Sequence, residues 1–299
     1  MAATRTDALP RIDDAAVRER ALQLGPDDHL VGVLSHPVVV SERADAAPPI
    51  VVFLNAGVIH RVGPHRLHVI LARRLAARGV TSLRLDLSGI GDSRAVPGAL
   101  SFRQSAVADT RSAMDRLAAD TGVRRFVLFG LCSGADNALA TAAVDERVVG
   151  LVLLDPPAYV TRRAHARRLA ARVSGIGGAR AVATWAARAV TRGLRARFAA
   201  APAPAEDDEA LTGGRGVPPL ADYRAQLGAL VARGVAILAV FSGALGERYN
   251  DADQLFELFP ELRGRVDRAY FPAANHTFTE LDAQSELASV VIGWIARRR

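Results

Sequence analysis

Apolar residues along this chain come in short unbroken runs, separated by stretches in which they recur every three to four positions. Ile50-Val51-Val52-Phe53-Leu54, Phe126-Val127-Leu128-Phe129 and Val148 to Leu154 are runs with no polar break. Such runs suit strands buried on both faces of a parallel sheet. Shorter strands are expected at Leu30–Leu34 and Val38–Val40, split by Pro37, then at Thr81–Leu85, Ala236–Phe241 and Arg268–Phe271. Between them lie helical patterns. Residues 65–78 place Leu67, Ile70, Leu71 and Leu75 on one face, and Gly79 ends them. Ser105–Ala119 is a second helix, an Ala-rich segment after Gly134 a third, and residues 284–298 a closing one. Residues 1–28 read as an arm with a short helix over Asp14–Leu24, stopped by Gly25-Pro26.

Strands alternating with helices predict an α/β protein with a doubly wound, mostly parallel sheet. The alternation fails once, between Pro156 and about Arg233, where no strand pattern appears. This predicts a core over 29–155 and 234–299, with 156–233 inserted as a helical cap. Residues 199–220 carry an Ala/Pro-rich stretch, an acidic run from Glu206 to Glu209 and Gly213-Gly214, the composition of a loop.

The run Phe126–Phe129 leads directly into Gly130-Leu131-Cys132-Ser133-Gly134 and a helix. This is the G-x-S-x-G nucleophile elbow with Cys in the Ser position. A turn this sharp needs small residues on either side so that the helix can pack on the sheet. It also holds the nucleophile at a helix N-terminus, where backbone N–H groups favour a negatively charged sulfur. Cys132 is therefore the expected nucleophile.

The general base expected in this chain order is His276, which follows the last strand in Ala274-Asn275-His276-Thr277-Phe278. A carboxylate to orient it is sought after the penultimate strand. Glu247 is the first choice there, Asp251 the next, and Asp155, at the end of the run closing with Leu154, the third. An oxyanion hole needs two backbone N–H groups. One is expected from Ser133, the other from Gly57 or Val58 in the turn after Leu54.

These residues resemble the α/β-hydrolase superfamily over roughly residues 30–155 and 234–298. Asp86-Leu87-Ser88-Gly89-Ile90-Gly91-Asp92-Ser93 fits the D-x-x-G-x-G-x-S signature of its esterase and peptidase-like members, a mainly architectural loop. The run from Asn55 to Pro64 is similar to that of exosortase-system-associated hydrolases. It departs from the commoner His-Gly turn and places His60 and Arg61 where they either face the site or fix the loop. A Cys elbow is shared with dienelactone hydrolases, polyhydroxyalkanoate synthases and carrier-protein transacylases.

Cys changes the expected chemistry. A Cys enzyme taking an acyl group from a thioester makes another thioester, a nearly thermoneutral step, so the acyl group can pass on to a thiol, amine or alcohol. A cysteine-dependent acyltransferase or thioesterase on carrier-protein or coenzyme A thioesters is the leading expectation. A hydrolase of small esters or lactones, and an inactive binding protein, are the alternatives. No cofactor or metal is expected beyond phosphopantetheine or coenzyme A within the substrate.

The chain has no Lys, so all its basic residues are Arg, and its net charge is +7. Residues 156–200 hold ten Arg and no Asp or Glu, which leaves the rest of the chain net negative. Arg188, Arg192 and Arg195 share a helical face, as do Arg163 and Arg167. Such a face suits the phosphates of coenzyme A or an acidic carrier protein. No nucleic-acid module is recognisable. The single Cys rules out an internal disulfide and suits a reducing compartment. With no apolar leader and no run of membrane-spanning length, a cytoplasmic location is expected.

Overall fold

A computed structural model describes residues 17–38, 47–96, 98, 100–175, 216–246 and 248–298, with backbone alone over 171–175. Its centre is an eight-stranded sheet. The strands are β1 (Val17–Leu24), β2 (Leu30–Pro37), β3 (Ile50–Phe53), β4 (Ser82–Asp86), β5 (Phe126–Leu131), β6 (Val148–Leu154), β7 (Ala236–Ser242) and β8 (Asp267–Phe271). Their order is β1-β2-β4-β3-β5-β6-β7-β8. β1–β2 and β2–β4 are antiparallel, and every other pair is parallel.

The unbroken apolar runs are explained by two covered faces. In β3, Val51 and Phe53 face helices α1 (Leu67–Ala76) and α7 (Leu281–Ala296), beside Leu67, Leu71, Leu75 and Val291. Ile50 and Val52 face the opposite layer, built from α2 (Phe102–Thr121), α3 (Ser133–Val144) and α5 (Leu220–Ala232). β5 alternates likewise, with Val127 and Phe129 on the first face and Phe126 and Leu128 on the second. The result is the doubly wound α/β architecture expected from the sequence. Two further helices complete the description: α4 (Arg162–Gly175), and α6 (Gln254–Leu258) between β7 and β8.

The N-terminal segment departs from expectation. Residues 17–24 form a strand, not part of a helix, and each of the eight pairs with a residue of β2. Long-range partners decide the outcome: Leu22 and Leu24 enter the core, and Glu19 accepts hydrogen bonds from Ser35, Arg73 and Arg84. None of these is visible in the local pattern. β2 likewise runs unbroken to Pro37.

Between β6 and β7 the described parts of the insert are helical. α4 is tied to the core by Arg167, which donates to Glu257 at 2.8 Å and to Asn250 at 3.0 Å. α5 packs into the core through Tyr223, Leu227 and Leu230. Among the described residues no helix is long and apolar enough to cross a membrane.

Candidate active site

The parallel strands bring their C-terminal ends to one edge of the sheet, where side chains on the following turns converge. β3 pairs with β4 on one side and β5 on the other, so the chain winds in opposite directions from this point. The turns after β3 and β5 meet there.

The turn after β5 is the elbow. Cys132 has φ 57° and ψ −121°, a strained region for a residue with a side chain, and α3 starts at the next residue. The flanking glycines are steric necessities. A Cβ on Gly130 would lie 2.1 Å from the Gly134 carbonyl oxygen, and one on Gly134 would lie 2.6 Å from that of Asn55. Cys132 N–H donates to Leu154 O at 3.0 Å, so the turn is anchored to β6. The thiol is half-buried.

His276 hydrogen-bonds to the Cys132 side chain. Its other partner is Asp155, whose Oδ2 lies 2.7 Å from His276 Nδ1. Asp155 follows β6 directly and is fully buried. Its carboxylate also accepts from Ser242 at the end of β7, from N–H at 2.7 Å and from Oγ at 2.7 Å. The imidazole pKa is raised to about 9, first by the hydrogen bond to Asp155, then by that to Cys132, against partial burial. At neutral pH the ring is therefore an imidazolium held between two acceptors. Its loop is pinned by Asn275, whose Oδ1 accepts from the N–H groups of Thr277 and Thr279, and by fully buried Phe278.

The turn after β3 lies over the elbow. Gly57 N–H donates to Ser133 Oγ at 2.8 Å. Behind it is a buried cluster: Asn55 donates to Asp86 Oδ1 at 3.1 Å and accepts from Leu87 N–H at 2.8 Å. Asp86 also bonds the Arg61 backbone N–H and guanidinium. Gly91 closes this cluster, because a Cβ there would lie 2.2 Å from Asp86 Oδ2.

Residues 48–209, more than half of the chain, match the Hydrolase_4 family described as serine aminopeptidase, S33. The chain belongs to this family of α/β hydrolases. Comparison with curated proteins gave no match. Among solved structures, an esterase of Pyrococcus furiosus is similar, with TM-score 0.57 and 14% identity over 95% of this chain and 92% of the other. A cold-adapted esterase from an Arctic intertidal metagenomic library gives TM-score 0.53 and 16% identity over 95% and 94%. A serine hydrolase without a lid from Xanthomonas campestris gives 0.50 and 16% over 94% of both. These likenesses share the fold, and in this α/β hydrolase the elbow carries Cys132.

Of the residues expected from sequence, Cys132, Ser133, Gly57 and His276 come together at one place. Val58 sits on the same turn and is 89% exposed. Glu247, the first choice of acid, and Arg188 and Arg192 lie outside the described residues. Asp251 pairs with Arg167 of α4 at 3.9 Å, while the carboxylate on His276 is Asp155, the third choice. The rule that the acid follows the penultimate strand misses this position, since β7 ends instead in Ser242, which holds Asp155. The Arg61 guanidinium is engaged by Asp86 and Asp92, the loop-fixing role of the two considered. His60 is exposed. Sequence reasoning missed Ser242 and also His65, whose Nε2 lies 3.3 and 3.2 Å from the hydroxyls of Thr277 and Thr279 beside His276. No local pattern marks either residue. Among the described residues no group of His, Cys, Asp and Glu could hold a metal ion.

Proposed function

We propose that this family member is a cysteine-dependent acyltransferase or thioesterase that takes acyl groups from carrier-protein or coenzyme A thioesters through an acyl-Cys132 intermediate. The observation carrying this reading is the Cys132–His276–Asp155 chain, with an imidazole pKa raised to about 9 beside the sulfur. A charged imidazolium and the N-terminus of α3 both favour the thiolate.

In this mechanism the Cys132 sulfur attacks the acyl carbonyl carbon, and the carbonyl electron pair moves to oxygen. The backbone N–H of Ser133 holds that oxygen, and the turn carrying Gly57 and Val58 supplies the second donor. The intermediate collapses by expelling the donor thiolate, which takes the His276 proton, leaving acyl-Cys132. Neutral His276 then removes a proton from the acceptor, whether thiol, amine, alcohol or water, as it attacks. Asp155 keeps Nδ1 protonated so that Nε2 faces the reaction, in the manner of a Ser–His–Asp triad.

A thiolate leaving group matches a sulfur nucleophile, because the tetrahedral intermediate then partitions between two groups of similar basicity. The exposed Arg162 and Arg163 at the start of α4 extend the basic character of the insert and suit phosphate groups of such donors. Arg188 and Arg192 belong to the same reading, as candidate contacts for an acidic carrier, in a cytoplasmic enzyme.

The test is intact-protein mass spectrometry after incubation with a panel of acyl-coenzyme A and acyl-carrier donors. The expected result is a mass gain of one acyl group that Cys132→Ala abolishes. Labelling that survives in Cys132→Ala would overturn the reading. The fold shared with esterases favours one second reading, hydrolysis of small esters by the same residues. It predicts steady release from chromogenic esters in water, unchanged by added thiols or amines.

A further inference from the structure

The turn after β3 contributes a backbone N–H to the oxyanion hole expected of this fold, yet here Gly57 N–H is already engaged. Its acceptor is Ser133 Oγ at 2.8 Å, on the residue that follows the nucleophile. Ser133 is half-buried, and α3 holds its backbone at the first helical position. An N–H there has no intrahelical acceptor. A serine hydroxyl that accepts one hydrogen bond still carries a proton to donate. Among the described residues the hydrogen bond of this hydroxyl is the one it accepts from Gly57.

Two functions are open to a hydroxyl in this position. It could block the hole by filling the place of the oxyanion. Alternatively, it could extend the hole, taking the Gly57 N–H on its lone pair and presenting its own O–H to the substrate oxygen. Accepting from Gly57 polarises the O–H and makes it a better donor. The Ser133 N–H and O–H then arise from one residue next to Cys132.

We propose that the Ser133 hydroxyl is a catalytic oxyanion donor, relaying the Gly57 N–H to the acyl oxygen. This rests on Cys132 being the acylated nucleophile. In the step concerned, the Cys132 sulfur forms a bond to the carbonyl carbon while the C=O electron pair moves to oxygen. The hydroxyl stabilises that oxygen by a hydrogen bond and transfers no proton. Collapse restores the carbonyl and expels the leaving group with its electron pair.

The experiment compares two reactions of the same sulfur. Acetylation by p-nitrophenyl acetate passes through an oxyanion, whereas alkylation by iodoacetamide does not. Both are followed by intact mass on wild type, Ser133→Ala and Ser133→Thr, with circular dichroism to check folding. Removing an oxyanion donor costs on the order of 100-fold in rate. Ser133→Ala is therefore expected to slow acetylation of Cys132 by about 10- to 100-fold and leave alkylation within about 2-fold, with Ser133→Thr restoring most of the acetylation rate. Equal slowing of both reactions would assign Ser133 to the elbow's structure and overturn the proposal. Unchanged or faster acetylation in Ser133→Ala would show that the hydroxyl blocks the hole, and would overturn it too. If wild-type Cys132 is alkylated but never acetylated, the acyl-Cys reading itself fails and the relay falls with it.

Discussion

Two buried carboxylates stand at strand ends on the same edge of the sheet, and they do different work. Asp86 is the last residue of β4 and Asp155 follows β6, and neither is exposed at all. Asp86 meets the guanidinium of Arg61, a backbone N–H of Arg61, another of Asp92 and the amide of Asn55. Asp155 meets the imidazole of His276 and two donors of Ser242. The partner's chemistry makes the difference. A guanidinium keeps its charge at every accessible pH, so the Asp86 cluster is fixed architecture that shapes the turn over the elbow. An imidazolium can give its proton away and recover it, so the Asp155 pair can take part in a reaction.

The comparison breaks most sharply on activity. Asp155→Asn keeps the shape but withdraws the charge, and should lower acyl transfer by about 10,000-fold, as loss of the acid does in related triads. Its melting temperature should fall by less than that of Asp86→Asn, because His276 gives up its charge-linked stability but can shed its proton once its partner is neutral. Single-turnover acylation and a thermal melt on the same sample check both halves. A loss of activity matched by a large drop in Tm would erase the distinction.

The stability effect at the other carboxylate comes next. Asp86→Asn leaves the Arg61 guanidinium with the exposed Asp92 as its remaining carboxylate, and breaking the buried half of the pair costs about 3 kcal/mol. Denaturant unfolding should show that loss, with surviving enzyme retaining most of its kcat. A midpoint unchanged in urea would mean that Asp92 alone satisfies Arg61.

The pH dependence sharpens the contrast further. The folded His276 pKa of about 9 lies above its ordinary value of 6.5. The imidazolium therefore adds stability that is fully present below about pH 6.5 and fades as pH rises through about 9. Acylation by the thiolate–imidazolium pair should show a falling limb near pH 9. Asp155 is the largest cause of the raised value, so Asp155→Asn should move that limb to lower pH, while Asp86→Asn should leave it in place. The smallest effect is expected from Ser242→Ala, which removes one of two hydrogen bonds from Ser242 to Asp155. A fall of about 5-fold in kcat is expected, from a bond worth about 1 kcal/mol.

The sheet and the elbow were legible because their signals are local. A strand covered on both faces must be apolar throughout, and a nucleophile turn must have glycines where backbone passes within contact distance. The acid was harder to place. Nothing around Asp155 in the sequence reveals that Ser242, at the end of a strand across the insert, donates two hydrogen bonds to it. Chain order alone favours the segment after β7, where Glu247 stands outside the described residues. β1 was misread for a related reason: its partners in β2, α1 and β4 are distant in sequence, and its own pattern of Val17, Leu22 and Leu24 fits a helix nearly as well. His65 was passed over because its link to Thr277 and Thr279 joins opposite ends of the chain.

The hydrogen bonds from Ser242 to Asp155 also join the C-terminal ends of the two strands that flank the insert. The chain leaves the sheet after Asp155 and re-enters it at Ala236, the start of β7, whose last residue donates to the carboxylate where the excursion began. The two flanking strands are thus clasped to each other independently of the segment that runs between them. Lengthening a loop costs little, about 0.6 kcal/mol for each doubling of its length. A different segment could therefore be grafted between Asp155 and Leu220, where α5 begins, while the reacting side chains keep their places on the sheet.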